Sequence, residues 1–277
     1  MRGYTGGRRM NKVDAAEGVS EAMTSEFGTP RTAIVTGGAR RIGAALVRAL
    51  HADGWHLLLH CHASEADGVA LAGELGERVT VVAADLAEAD VAERVMAALD
   101  GLPPLGLLVN NASRFSYDSL TDFTVADWDT HHAINLRAPA LLIQAFAAAV
   151  PEGAGGLIVN ILDAKLAQPN PDFFSYTVSK MGLAGLTELA ARALAGRGIR
   201  VCGIAPSITL VSGAQTRDNF DAVHRMNALR RGVVVDDIVA ALRYLVATPV
   251  MTGQTITLDA GQRFLALPRD VQYMDAS

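Results

Sequence analysis

The sequence predicts an α/β fold built on a single doubly wound parallel sheet of about seven strands, flanked by helices. From Arg31 onward, short apolar runs alternate with alanine-rich segments of about a dozen residues, the length a crossover helix needs between parallel strands. The runs are hydrophobic throughout rather than alternating, as strands buried on both faces are. Half of the 277 residues are hydrophobic and only 5% are aromatic, so alanine, valine and leucine must build the interior, a mix that suits helices packed on strands.

The elements follow in order. "TAIVTG" opens the sheet and "RIGAALVRALHADG" returns as its helix; "HLLLH" with "EADGVALAGELG", then "RVTVVAAD" with "EADVAERVMAALD", repeat the unit. "GLLVNNAS" is the fourth strand and "GGLIVNIL" the fifth, followed by a helix over about 175–195. "IRVCGIAP" is the sixth strand; beyond a variable segment through Leu229, the helix "VVDDIVAALRYLVAT" and the strand "TITLD" close the sheet. With no linker or internal repeat, residues 30–277 read as one domain. Residues 1–29 contain arginines, glycines and serines but no continuous apolar stretch of signal-peptide length, and read as a flexible extension in which Met10 and Met23 are alternative starts.

A net charge of -5 without a long run of one sign leaves no footprint for nucleic acid or an anionic membrane. The most apolar later stretch, "APALLIQAFAAAVP", is too short to cross a bilayer. Two cysteines, Cys61 and Cys202, are too few for a disulfide scaffold or a zinc site. The expectation is a small-molecule partner, a reducing cytoplasmic compartment and no metal.

"TGGARRIG", residues 36–43, joins the first strand to the first helix. Glycines there let backbone approach a pyrophosphate, and the helix N-terminus offers unpaired N–H donors. The spacing departs from GxGxxG and a plain turn would also explain two glycines; the place after the first strand favours a dinucleotide site containing Thr36, Gly37, Arg40, Arg41 and Gly43. The second strand ends "LLLHCHASEAD", with His60, His62 and Ser64 before any carboxylate. An acid that would select NAD through a ribose hydroxyl is missing there, so NADPH is the expected cofactor; either histidine could instead be packed or simply exposed. Asp85 either accepts from an adenine amino group or caps the next helix. Asn110, Asn111, Ala112 and Ser113 tie the sheet edge, line the cofactor, or do both.

Tyr176 and Lys180 are four residues apart on a helix and share a face. A cation beside a phenol favours the phenolate, lowering the tyrosine pKa, and the lysine can also hold a nicotinamide ribose. YxxxK is common by itself; after the fifth strand of a nucleotide fold, with Asn135 in "AINLRAP", it becomes specific. Asp163 lies thirteen residues before the tyrosine. A hydroxyl there could donate to a carbonyl oxygen, whereas an ionised aspartate only accepts. It suits a substrate that brings N–H groups or a ring nitrogen to be protonated, or else it caps a loop.

Thr36, Gly37, Gly43, Asp85, Asn110, Asn111, Ala112, Asn135, Tyr176, Lys180 and Pro206 together resemble the short-chain dehydrogenase/reductase family, of Rossmann-type fold, over about residues 32–263. The resemblance implies that Tyr176 donates the proton, Lys180 binds ribose and lowers the tyrosine pKa, and Asn135 helps hold a relay water. It also brings Ile42, Leu86, Pro206, Ser207 and Ile208 to the cofactor. Two departures, Arg41 for a glycine of TGxxxGxG and Asp163 for the usual serine, combine with "NNASRF" to make the chain similar to pteridine and dihydromonapterin reductases. In those enzymes the residue matching Arg41 approaches the cofactor phosphates and the substrate, and those matching Ser113 and Phe115 line the pterin pocket. Ala63 stands where some of them carry an arginine. The activity implied is NADPH-dependent reduction of a dihydropterin by a homotetramer, with hydride going to carbon and a proton to nitrogen through Tyr176, Lys180 and Asp163. The alternatives are a ketone reductase of the same family, acting on a 3-oxoacyl or other carbonyl substrate, and a non-catalytic NADP(H) sensor. Phe115 would be a pocket wall, or a lid residue packed away from the site.

Overall fold

The computed structural model describes residues 30–213 and 215–274, so the expected extension at 1–29 lies outside the described residues. Strands β1 (Thr32–Val35), β2 (His56–Cys61), β3 (Val79–Ala83), β4 (Leu105–Asn110), β5 (Gly156–Ile161), β6 (Ile199–Pro206) and β7 (Thr255–Leu258) form one parallel sheet in the order 3-2-1-4-5-6-7. The helices are α1 (Arg41–Ala52), α2 (Glu65–Leu75), α3 (Val91–Ala97), α4 (Val125–His132), α5 (Ala138–Ala149), α6 (Phe174–Leu194), α7 (Arg217–Val223) and α8 (Val235–Ala247). Among these, α7 lies inside the segment the sequence left without structure.

Successive strand residues point to opposite faces, so each strand feeds two cores. Val35, Leu57 and Leu59 pack with Leu46 and Leu50 of α1 and Leu242 of α8. Ile34, Leu58, Leu108 and Ile158 pack with Leu142 and Phe146 of α5 on the other side. This is why the runs carry no polar alternation, and each fully buried side chain contributes about 1.5–3 kcal/mol. β1 neighbours both β2 and β4 while the chain reverses its direction of travel across the sheet between them. That switch point opens a crevice beyond the carboxyl ends of β1 and β4, where such sheets bind ligands. Among the described residues, no helix is long and apolar enough to cross a membrane, and no group of three His, Cys, Asp or Glu side chains could hold a metal.

Candidate active site

At the switch point the β1–α1 turn is held by backbone and buried side chains. Gly37 has φ +62, a Cβ on it would lie 3.0 Å from Ala112 Cα, and one on Gly43 would overlap the Gly37 carbonyl and sit 2.7 Å from Asn111 Nδ2. Glycine is required at both positions. Thr36 Oγ1 accepts from the Asn111 and Ala112 amides at 3.0 Å each, and Asn111 Nδ2 donates to the carbonyls of Thr36 and Gly37 at 2.8 and 3.2 Å. Arg41 adopts φ 55, a left-handed conformation costly for a side-chain-bearing residue. Its guanidinium donates to the Val211 carbonyl at 2.7 Å, bridging the turn to the segment after β6.

Of the alternatives the sequence left open for His60, the structure favours the packed one. His60 is buried, Gly37 N donates to its Nδ1 at 3.3 Å and its Nε2 faces the Ala84 carbonyl at 3.0 Å, so both ring nitrogens are used under the turn and neither is left for a 2′-phosphate. Burial also lowers its pKa and keeps the ring neutral. Arg40 pairs with Asp67 at the surface. His62 is exposed, 3.9 Å from Asp85, whose Oδ1 caps the Ala87 amide at 2.8 Å. Ser64 sits at the start of α2 without a side-chain cap bond, and Leu86 is in the core beside Val91. Arg41, Ile42, Asn111, Ser113, Pro206, Ser207 and Ile208 do line one pocket, along with Phe115, Asp163, Tyr176 and Lys180.

Tyr176 and Lys180 lie on the buried stripe of α6 with Leu183 and Thr187, which turns both toward the crevice. Tyr176 Oη donates to Asp163 Oδ2 at 2.7 Å, Asp163 Oδ1 accepts from Lys165 N at 2.8 Å, and Lys180 Nζ donates to the Ile161 carbonyl at 2.8 Å. Asp163 thus caps its loop, one of the readings the sequence left open, and also accepts from Tyr176. The tyrosine pKa moves opposite to the YxxxK expectation. Burial, then the adjacent Asp163 carboxylate, push it well above its ordinary value, while burial brings Lys180 down to about 8. The phenol therefore stays protonated and is not a resting phenolate. Asn135 is fully engaged: its amide donates to Arg114 O and Ser179 Oγ at 3.0 Å each, and its oxygen accepts from Arg114 N at 2.8 Å and Ser113 Oγ at 3.2 Å. It sits in a π-helical turn, Ala133–Arg137, between α4 and α5, and its side chain braces the loop after β4 against α6.

Sequence reasoning missed two groups. Ser175 N donates to Asp118 Oδ1 at 3.0 Å, Ser175 Oγ donates to Asp118 Oδ2, and His131 Nδ1 lies 2.6 Å from Ser175 Oγ while its Nε2 accepts from Ser116 N at 3.3 Å. Burial lowers the His131 pKa, leaving a neutral ring that fixes the start of the helix carrying Tyr176. The other group is the segment after β7, which supplies Arg263, Asp270 and Gln272 to the pocket and is fastened to the loop before α6 by Arg269 Nε on Asp172 at 2.8 Å. Phe115 stacks on Phe173 at 4.3 Å between centroids and meets Tyr176 edge-on at 4.8 Å. Phe173, like Arg41, is left-handed, at φ 53.

A family model for short chain dehydrogenase matches residues 31–221. The solved structure of FolM Alternative dihydrofolate reductase 1 from Brucella canis, complexed with NADP, is 40% identical, covers 87% of this chain and 96% of that one, and superposes with a TM-score of 0.82. Pteridine reductase 1 of Leishmania tarentolae is 34% identical over 228 residues, 66% of this chain and 78% of that protein. The 3-oxoacyl-[acyl-carrier-protein] reductase of Synechocystis is 28% identical over 84% of this chain and 97% of that protein.

Proposed function

This chain belongs to the short chain dehydrogenase family, and from that premise we propose that it reduces a dihydropterin to a tetrahydropterin with NADPH. The glycine-tight turn, the open N-terminus of α1 and Lys180 fit a dinucleotide, and NADPH, when bound, supplies the hydride. The NADP held by the Brucella relative supports the cofactor choice. The observation that carries the substrate is the 2.7 Å bond from Tyr176 to Asp163. A phenolate beside a carboxylate is opposed by like charge, so Tyr176 releases its proton only as one returns. A proton passed from solvent to Asp163 reverses that hydrogen bond, turns the phenol hydrogen toward the substrate, and lets the pair deliver one proton as a unit to a ring nitrogen, after which Asp163 is again the carboxylate. Once ionised again, Asp163 accepts from the N–H groups a reduced pterin carries, a service it could not give an unprotonated ketone oxygen.

Phe115 lines the pocket with Phe173 behind it, which supports a flat ring lying against it, gaining about 0.5–1.5 kcal/mol beyond buried area. The left-handed Arg41 is strain retained where the turn meets the substrate, in keeping with contacts to both ligands. A cytoplasmic homotetramer completes the reading. NADPH oxidation measured across dihydropterins, dihydrofolate, 3-oxoacyl thioesters and simple ketones tests it: turnover of a dihydropterin, lost in Asp163→Ala and with a raised KM in Phe115→Ala, is expected. Turnover confined to ketones would reassign the chain to carbonyl reduction, and cofactor binding without any turnover would make it a sensor.

A further inference from the structure

We propose that Lys165 and Asp270 form a specificity site beside the reacting bond, which selects a ring substituent bearing hydroxyl groups. This rests on the dihydropterin reading above. Tyr176 and Asp163 deliver the proton, so the C=N bond lies against them, and whatever is attached to its carbon lies beside Asp163. Lys165 is there: its amide donates to Asp163 at 2.8 Å, and its side chain crosses the Phe173 ring, 5.5 Å from the centroid, toward Asp270. The ammonium stands 3.7 Å from Asp270 Oδ2 and also donates to the Asp172 carbonyl. Both side chains line the pocket and are largely buried.

The pair is incompletely satisfied by the protein. Asp270 Oδ1 accepts from Gln272 N and Nε2 at 3.2 and 3.3 Å, whereas Oδ2 has no donor among the described residues nearer than the Lys165 ammonium. Burial raises the Asp270 pKa and lowers that of Lys165, so both charges lack solvation. A hydroxyl can give its hydrogen to Oδ2 and accept from Nζ, meeting both needs at once. A methyl or aryl substituent would strip water from the pair and return nothing, the situation in which polar sites discriminate most strongly. Gln168 and Asn170 also line the pocket and add further polar partners for such a chain.

The test compares two substrates in three proteins. Wild type, Asp270→Asn and Lys165→Met are assayed with NADPH on 7,8-dihydrobiopterin, which carries a dihydroxypropyl chain, and on 6-methyl-7,8-dihydropterin. Wild type should prefer the hydroxylated compound about tenfold or more in kcat/KM, mostly through KM. In either variant the preference should collapse towards unity, the hydroxylated compound losing most of its advantage in kcat/KM. A preference unchanged in both variants, or a parallel loss on both substrates, would overturn the site and leave the dihydropterin assignment standing. No turnover of either compound by wild type would remove both readings together.

Discussion

At the cofactor end of the crevice the walls are backbone, set by Gly37 and Gly43 and locked by Thr36, Asn111 and a neutral, buried His60. At the proposed substrate end they are side chains from separate stretches, Phe115 after β4, Asp163 and Lys165 before α6 and Asp270 after β7, backed by the Phe173 ring and the Arg269–Asp172 ion pair. The first is rigid because a few atoms have nowhere else to go. The second holds its shape through ion pairs and ring stacks that a single substitution can release. Changes at one end should therefore leave the other largely intact, and this separation is open to direct attack.

The largest effect should come from the group that joins the two ends. Tyr176→Phe removes the proton carrier and should lower kcat by about 10²–10⁴-fold while NADPH affinity, measured by titration without substrate, stays within about twofold. A comparable fall in NADPH affinity would mean that the phenol belongs to the cofactor wall. Gly43→Ala is the converse. The added methyl meets the Gly37 carbonyl and Asn111 and costs about 1–3 kcal/mol of overpacking, so NADPH affinity should drop about tenfold. If pterin KM alone moved, the division between the ends would be wrong.

The same contrast explains what the sequence disclosed. Continuous apolar runs and helix-length spacers made the sheet readable, and β1 to β7 fall where those runs lie. The glycines of "TGGARRIG" and the four-residue step from Tyr176 to Lys180 are local patterns and were readable for that reason. The contacts of Asp118 with Ser175 and of Asp172 with Arg269 join residues 57 and 97 apart, and no local spacing marks them. His60 stayed open between a cofactor contact and a packed residue because exposure at a strand end depends on the strand next to it, and here β3 and the turn close over the ring. The tyrosine pKa was misjudged because charge spacing along a helix says nothing of burial, which is the larger influence.

Acid–base behaviour sharpens the comparison further. Lys180 is lowered from 10.5 to about 8 by burial, with Asp163 partly opposing. As pH rises past about 8 the ammonium proposed to hold the cofactor ribose is lost, so kcat/KM for reduction should fall by up to about tenfold per unit; Tyr176, raised well above its usual range, adds no limb of its own. Stability should move the other way. Between about 8 and 10.5 the unfolded chain binds this proton and the folded chain does not, so that group's contribution increases with pH. Rate profiles and chemical denaturation at matched pH values check both signs, and Lys180→Met should abolish both trends. Parallel trends in rate and stability would refute the assignment.

The smallest expected change is the most discriminating. Arg269 is about half exposed, and an isolated ion pair at such a site is worth little. Its partner is not isolated, however: Asp172 also accepts from Asp270 N at 2.7 Å, and its carbonyl receives the Lys165 ammonium. Arg269→Gln therefore loosens the segment that carries Asp270 without removing any group that meets substrate. The pterin KM should rise a few-fold, with kcat nearly kept and the NADPH KM unchanged, because the segment's fastening lies on the loop before α6 and not on the glycine turn. If the NADPH KM rose by the same factor, the segment after β7 would be part of the cofactor wall, and the two ends of the crevice would have to be treated as one cooperative structure.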